Sequence, residues 1–192
     1  MHLTNGGTGL CSPEKQDRKE RDLLASRLKS GHEAASVALV NAYYKQMYLF
    51  MRRLGHDHQS SEDLTQETFI QAWQHIGQLR DGKALNSWLY RIAANTSGLY
   101  WRKHKGVKAV GLEDIDVLDN GGGSGHEIAV NAEELVNLKK AVSELSVKLR
   151  EVIVFHYFQQ LTISESARAL GIREGTFKSR LSRALKALKK RV

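Results

Sequence analysis

Cysteine and proline are almost missing from this chain: among 192 residues there is one of each. The lone Cys11 cannot close an internal disulfide or build a cysteine-rich zinc site by itself. That usage fits a reducing compartment, and a cytoplasmic location is expected. The single proline is Pro13, so no helix breaker of that kind follows it. Strand signals, meaning alternating β-branched runs closed by Asn-Gly turns, are missing too. No apolar run approaches the roughly 20 residues of a membrane span, so no membrane insertion is expected. The N-terminal stretch lacks the apolar centre of a secretory signal. Its Gly, Asn, Ser and balanced charge read as a disordered extension over 1–20. The expected fold is all-α.

What is present is positive charge and helical periodicity. The net charge is +8 and the pI about 9.6, with 41% apolar residues to build a core. Such an excess suits a densely negative partner, either nucleic acid or an anionic membrane surface. Helices are predicted over about 22–29, 33–53, 60–76 and 87–103. Val37, Val40, Tyr44, Met47, Tyr48 and Met51 form the inward stripe of the second. The third opens at Ser60, with Asp63 completing a capping box. In the fourth, Trp88, Leu89, Ile92, Ala93, Thr96 and Leu99 face inward. From 106 to 131 the chain turns acidic and carries the run GGGSG. It reads as a flexible acidic linker that leaves the flanking modules free to move independently. No strand precedes the glycine run and no Gly-Lys-Ser/Thr follows it, which excludes a phosphate loop. The expected organisation is thus two small helical domains, 21–105 and 132–192.

The second domain carries the sharpest motif. Leu135, Leu138, Val142 and Leu145 form one stripe, and Leu149, Val152, Ile153 and Tyr157 the next. Thr162 and Glu165 have capping-box spacing at the start of a short helix. Gly171 supplies a tight left-handed turn. In the final helix Phe177, Leu181, Ala184, Leu185 and Leu188 share one side, and Thr176, Ser179, Arg183, Lys186 and Lys190 the other, flanked by Lys178 and Arg180. This is a helix-turn-helix: the apolar side docks and the basic, hydroxyl-rich side enters a major groove. Arginine can bond guanine in bidentate fashion, and Thr and Ser reach phosphates or bases.

In the first domain, Phe69, Ala72, Trp73 and Ile76 point inward in the third helix, which turns Asp63, Gln66, Glu67, Ile70 and Gln74 outward. An acidic face with an aliphatic centre on a basic protein suits protein docking. No pocket or partner residue makes Asp63 and Glu67 a catalytic pair, so the chain is not read as an enzyme. The following loop and helix are basic: Arg80, Lys83, Arg91, Arg102 and Lys103 accompany Asn86, Ser87 and Asn95. Trp88, Tyr90, Tyr100 and Trp101 are interleaved with them, a mixture suited to a single strand with stacked bases. His56 and His58 lack a third ligand and read as surface residues. No metal or other cofactor is expected.

SSEDLTQETFIQAW, then NSWLYRIAANTSGLYWRK, then an acidic linker, then LREVIVFHYFQQLTISESARALGIREGTFKSRLSRALKAL together resemble the extracytoplasmic-function (ECF) sigma factors of bacterial RNA polymerase. The resemblance implies a non-enzymatic initiation factor whose partners are core RNA polymerase, promoter DNA and an anti-sigma factor. It implies that Asp63, Gln66, Glu67, Ile70 and Gln74 dock on the β′ clamp helices, with further contact to the β subunit. It assigns Arg80, Lys83, Asn86, Ser87, Arg91, Asn95, Arg102 and Lys103 to the minus-ten element, where a base is flipped from the stack. Arg173, Thr176, Lys178, Ser179, Arg180, Arg183 and Lys186 would read the minus-thirty-five duplex. Ser146, Arg173, Thr65 and Thr68 depart from the family pattern. The competing reading is a two-domain helix-turn-helix regulator that acts without core polymerase.

Overall fold

The computed structural model describes residues 13–104, 109, 132–159 and 161–191. Among them are eight α-helices and no strand: α1 (Pro13–Lys29), α2 (Glu33–Arg53), α3 (His58–His75), α4 (Leu85–Lys103), α5 (Ala132–Ser143), α6 (Val147–Phe158), α7 (Ile163–Ala169) and α8 (Glu174–Lys189). The expected linker, 106–131, lies outside the described residues apart from Ala109.

Helix α1 begins nine residues before its expected start, inside the stretch read as disordered. Proline at the first helical position has its φ preset and lacks only an N–H that would be unpaired anyway. The Glu, Lys, Gln and Arg residues behind it are good helix formers without an apolar stripe, so periodicity is silent there. Helix α2 has its expected bounds but is turned about its axis. It buries Ala35, Leu39, Tyr43, Met47, Phe50 and Met51, while Val37 and Tyr44 face solvent. Phe69 and Ala72 of α3 and Leu85, Leu89 and Ala93 of α4 complete this core. Each large side chain so buried contributes about 1.5–3 kcal/mol. Leu99 and Tyr157, expected inside, are exposed.

The C-terminal helices close around Val152, Ile153, Phe155, Ala167, Phe177 and Ala184. They do not stand apart from α1–α4 as the linker reading supposed. Phe155 of α6 meets Phe50 of α2 edge-on at 5.3 Å and lies 6.2 Å from the ring of Tyr90 in α4. Helix α7 packs on α4. A sequence stripe shows that a face is apolar; it does not show which other face will cover it.

Candidate functional site

Helix α3 is started by Asp57, not by Ser60. The Asp57 carboxylate accepts the Ser60 N–H at 2.8 Å and its hydroxyl at 3.1 Å. These bonds, the backbone one foremost, hold the Asp57 carboxyl below its ordinary value despite slight desolvation. The inner side of α3 buries Thr65 and Thr68, whose hydroxyls donate to the carbonyls of Ser61 and Leu64 four residues back, at 2.6 and 2.7 Å. Aliphatic residues there would need no such partner; the two threonines satisfy theirs within the helix. On the other side Asp63, Gln66, Glu67, Ile70 and Gln74 are all exposed. Trp73 is exposed too, against expectation, at 43%, beside Ile70 at 42%. It enlarges the apolar centre of the acidic face. Gln71 donates to Glu67 at 2.7 Å and steadies that carboxylate.

The basic loop is held by parts of the chain distant in sequence. After α3 a 3-10 turn over Ile76–Gln78 leads to Leu79, which is buried as an anchor. The Asp81 side chain accepts the Lys83 N–H at 3.0 Å and starts a second 3-10 turn over Gly82–Ala84. Gly82 lies directly on α1: a Cβ at this position would stand 2.6 Å from Asp22 Cα. Lys29 at the end of α1 donates to the Arg80 carbonyl at 3.5 Å. The side chains of Arg80 and Lys83 remain exposed on the pinned loop. Ser87 donates to the Ala84 carbonyl at 3.1 Å and is half-buried.

Between α3 and α4 runs a groove of about 700 Å³ that brings Arg91, Asn95 and Lys103 together with Trp88, Tyr100 and Glu67. It unites residues expected to meet nucleic acid with one expected to meet protein. Arg102 is exposed but does not line it. Asn86 is elsewhere: it lines a crevice with Arg21, Tyr43 and Gln46, and its buried Oδ1 has no partner among the described residues. The cause is helical phase, because α4 starts at Leu85 and Asn86 falls on the side of Tyr90 and Ala94, which is buried.

His56 is no surface residue. It is 2% exposed, its Nε2 lies 2.7 Å from the Ser97 hydroxyl, and its ring stacks on Trp101 at 4.7 Å. Burial lowers its pKa to about 4; the Asp57 charge opposes the shift and the Arg150 charge adds to it. His58 is exposed and pairs with Glu62 at 3.5 Å.

In the C-terminal module the capping box is complete. Thr162 accepts the Glu165 N–H at 3.2 Å, and Glu165 accepts the Thr162 N–H at 2.8 Å. Gly171 turns the chain at φ 64°, where a side chain would be strained. Helix α8 then buries Phe177, Ala184 and Leu188, with Leu181 partly covered. Leu185 was expected inside and is 40% exposed. Lys178, Ser179, Arg183 and Lys186 line the open side, with Arg173 exposed at the N-cap and Thr176 half-buried. Arg183 donates from Nε to the Ser179 carbonyl at 3.3 Å, which keeps its stem along the helix. Arg180 is half-buried, and its charge acts on Glu151 of α6. Burial pushes the Glu151 carboxyl up to about 7, against the pull of Arg180 and Lys148.

The same two blocks appear in comparisons with known proteins. Residues 39–107 match Sigma-70 region 2, and residues 135–188 match Sigma-70, region 4. The ECF RNA polymerase sigma factor SigW of Bacillus subtilis is 33% identical over 175 residues, which is 86% of this chain and 93% of SigW. SigL of Mycobacterium tuberculosis, another ECF RNA polymerase sigma factor, is 32% identical over 165 residues, 83% of this chain and 92% of that one. Two solved structures share the fold. One is CnrH in complex with the cytosolic domain of CnrY, with TM-score 0.64, 22% identity and coverage of 88% of this chain and 96% of that one. The other is the sigma factor RpoE with the anti-sigma factor NepR from Bartonella quintana, with TM-score 0.54, 24% identity and coverage of 92% and 96%.

Proposed function

The chain belongs to the ECF RNA polymerase sigma factors, and from that premise we propose how its surfaces divide the work of promoter recognition and transcription initiation. The exposed face of α3, with Asp63, Gln66, Glu67, Ile70 and Gln74, docks on the β′ clamp helices of core RNA polymerase; Trp73 extends that contact, and the β subunit supplies a further one. Arg80 and Lys83 on the pinned loop, with Ser87, Arg91, Asn95, Arg102 and Lys103, hold the minus-ten element as it opens. Aromatic rings beside cations suit unstacked bases and their phosphates. Asn86 supports the loop from its inner side rather than touching DNA. Arg173, Thr176, Lys178, Ser179, Arg180, Arg183 and Lys186 engage the minus-thirty-five duplex in its major groove. The domains run over 21–105 and 132–192, extended at the N-terminus by the first turns of α1. An anti-sigma factor is a further partner, and the work is done in the cytoplasm, where polymerase is. The factor contributes binding and positioning, and polymerase contributes the chemistry.

One observation carries this reading: a single chain exposes an acidic face with an apolar centre on α3 and a basic, hydroxyl-bearing face on α8. A regulator that worked without polymerase would use the second and leave the first with no task. Reversing both charges, Asp63→Lys with Glu67→Lys, is expected to weaken binding to core polymerase at least tenfold, about 1.4 kcal/mol or more, with helicity unchanged. Unaltered affinity in the folded double variant would remove the docking assignment. Transcription in vitro with core polymerase on a promoter library tests the whole function.

A further inference from the structure

Of the residues proposed for polymerase docking, Glu67 alone also lines the groove between α3 and α4. Helical spacing explains the double position. Glu67 shares one row of α3 with Asp63, Ile70 and Gln74, which face outward, and the next row with Leu64, Gln71 and His75, which line the groove. Its carboxylate is held at that border, because Gln71 Nε2 donates to its Oε1 at 2.7 Å. Among the described residues it makes no ion pair. Arg91 and Lys103, the cations proposed to hold phosphates of the opened strand, line the same groove.

A single strand laid in this groove meets two cations that attract its phosphates and one carboxylate that repels them. Exposed charges at similar range repel about as strongly as they attract. While the factor is free, Glu67 therefore offsets roughly one of the two cations. A docking face that is acidic calls for cationic groups on its partner. Once core polymerase supplies one, the same carboxylate is neutralised, and Arg91 and Lys103 act on the strand unopposed. The residue is thus placed so that one surface senses whether the other is occupied.

We infer that Glu67 couples the two surfaces electrostatically: its charge weakens strand capture by the free factor, and docking on core polymerase lifts that repulsion. The inference rests on the division of surfaces proposed above. Such coupling is reciprocal, so a bound strand tightens core binding by the same factor by which core tightens strand binding.

The experiment compares two neutralised variants of the full chain. Glu67→Gln removes the charge and leaves an oxygen to accept from Gln71. Asp63→Asn removes an equal charge one turn away, on the docking face but outside the groove. Each protein is titrated, free and then with excess core polymerase, against a fluorescent non-template strand of the minus-ten region from a promoter selected with the wild-type holoenzyme. For the free factor, Glu67→Gln is expected to tighten strand binding about three- to tenfold at low salt, and Asp63→Asn by less than about twofold. With core in excess, wild type and both variants are expected to agree within about twofold. Equal gains from the two variants in the free factor would show nonspecific attraction and overturn the inference. So would no gain from Glu67→Gln, or a gain that persists undiminished on core. Arg91→Ala tests the underlying reading separately: if it leaves strand binding by the wild-type holoenzyme unchanged, the groove is not the DNA site, whatever Glu67 does.

Discussion

The two modules build their surfaces in opposite ways. In the C-terminal one, every part of the reading helix is specified nearby: the Thr162–Glu165 box starts α7, Gly171 turns the chain, and α8 presents its basic side sixteen residues long. In the N-terminal one, the basic loop takes its shape from α1, more than fifty residues earlier at the Lys29–Arg80 contact, and its groove from two helices that meet only in the fold. Duplex DNA offers a regular groove, and a straight helix suffices to enter it. An opened strand has no fixed shape, so its receptor must be assembled and braced from several elements. On the division of surfaces proposed above, local construction goes with the rigid ligand, and distributed construction with the flexible one.

The largest expected effect breaks the bracing. Gly82→Ala pushes a methyl into the backbone of Asp22 and should cost about 1–3 kcal/mol of stability, while slowing promoter opening. Its counterpart in the other module is Gly175→Ala, where nothing stands within 4 Å of the added carbon. There a gain of up to about 1 kcal/mol is expected. Thermal unfolding of the two variants side by side is the measurement; equal effects would mean that the loop does not depend on α1.

The same difference decides what could be read from the sequence alone. The all-helical class, the bounds of α2, the capped short helix and the glycine turn were legible, because each depends on residues a few positions apart. So was the outward set of α3, whose phase follows from Phe69 and Ala72. The rest depends on tertiary partners. Val37 and Tyr44 were as good an apolar stripe as Leu39 and Phe50 until α3 and α4 chose a side. His56 lacks any local sign of burial, which comes from Ser97 and Trp101 some forty residues on. Asn86 lies in a crevice with Arg21 and Tyr43 because α4 begins two residues before its expected start. Arg150 carries a sequence signal of its own: a cation just before the apolar run Val152–Phe155, between Leu149 and Glu151. A charge in such a place needs a reason, and here the carbonyls of Leu54, Val142 and Leu145 provide it.

A narrower effect, confined to binding and leaving stability untouched, tests the division of labour. Arg183→Ala removes an exposed guanidinium from the open side of α8 and is expected to cost about 1–3 kcal/mol in affinity for minus-thirty-five duplex, mostly at one base pair. Arg91→Ala, in the α3–α4 groove, should leave that affinity alone and slow strand opening. Duplex binding measured together with permanganate reactivity of the melted region separates the two. If the arginines exchange these phenotypes, the modules have been assigned the wrong strands.

The smallest effect expected is a near absence of change, arising because the modules respond to pH with opposite sign. The His56 pKa is lowered from 6.5 to about 4 by burial. The unfolded chain therefore takes up a proton on acidification before the folded chain does, so stability is full above pH 6.5 and is lost as pH falls towards 4. The Glu151 pKa is raised from 4.5 to about 7, again by burial first. Here the folded chain binds the proton more readily, so the contribution is full below pH 4.5 and is lost as pH rises through 7. Between about pH 4.5 and 6.5 the two slopes oppose each other, and the wild-type melting temperature should vary little from these groups. Glu151→Gln removes one slope and leaves the other. The variant should lose stability steadily from about pH 6.5 to about pH 5, while above pH 7, where the wild type holds a half-buried carboxylate, it should be the steadier of the two by up to about 1 kcal/mol. Melting curves of both proteins across this range make the comparison. Parallel profiles would mean that Glu151 is solvated in the folded chain and that α6 and α8 do not enclose it.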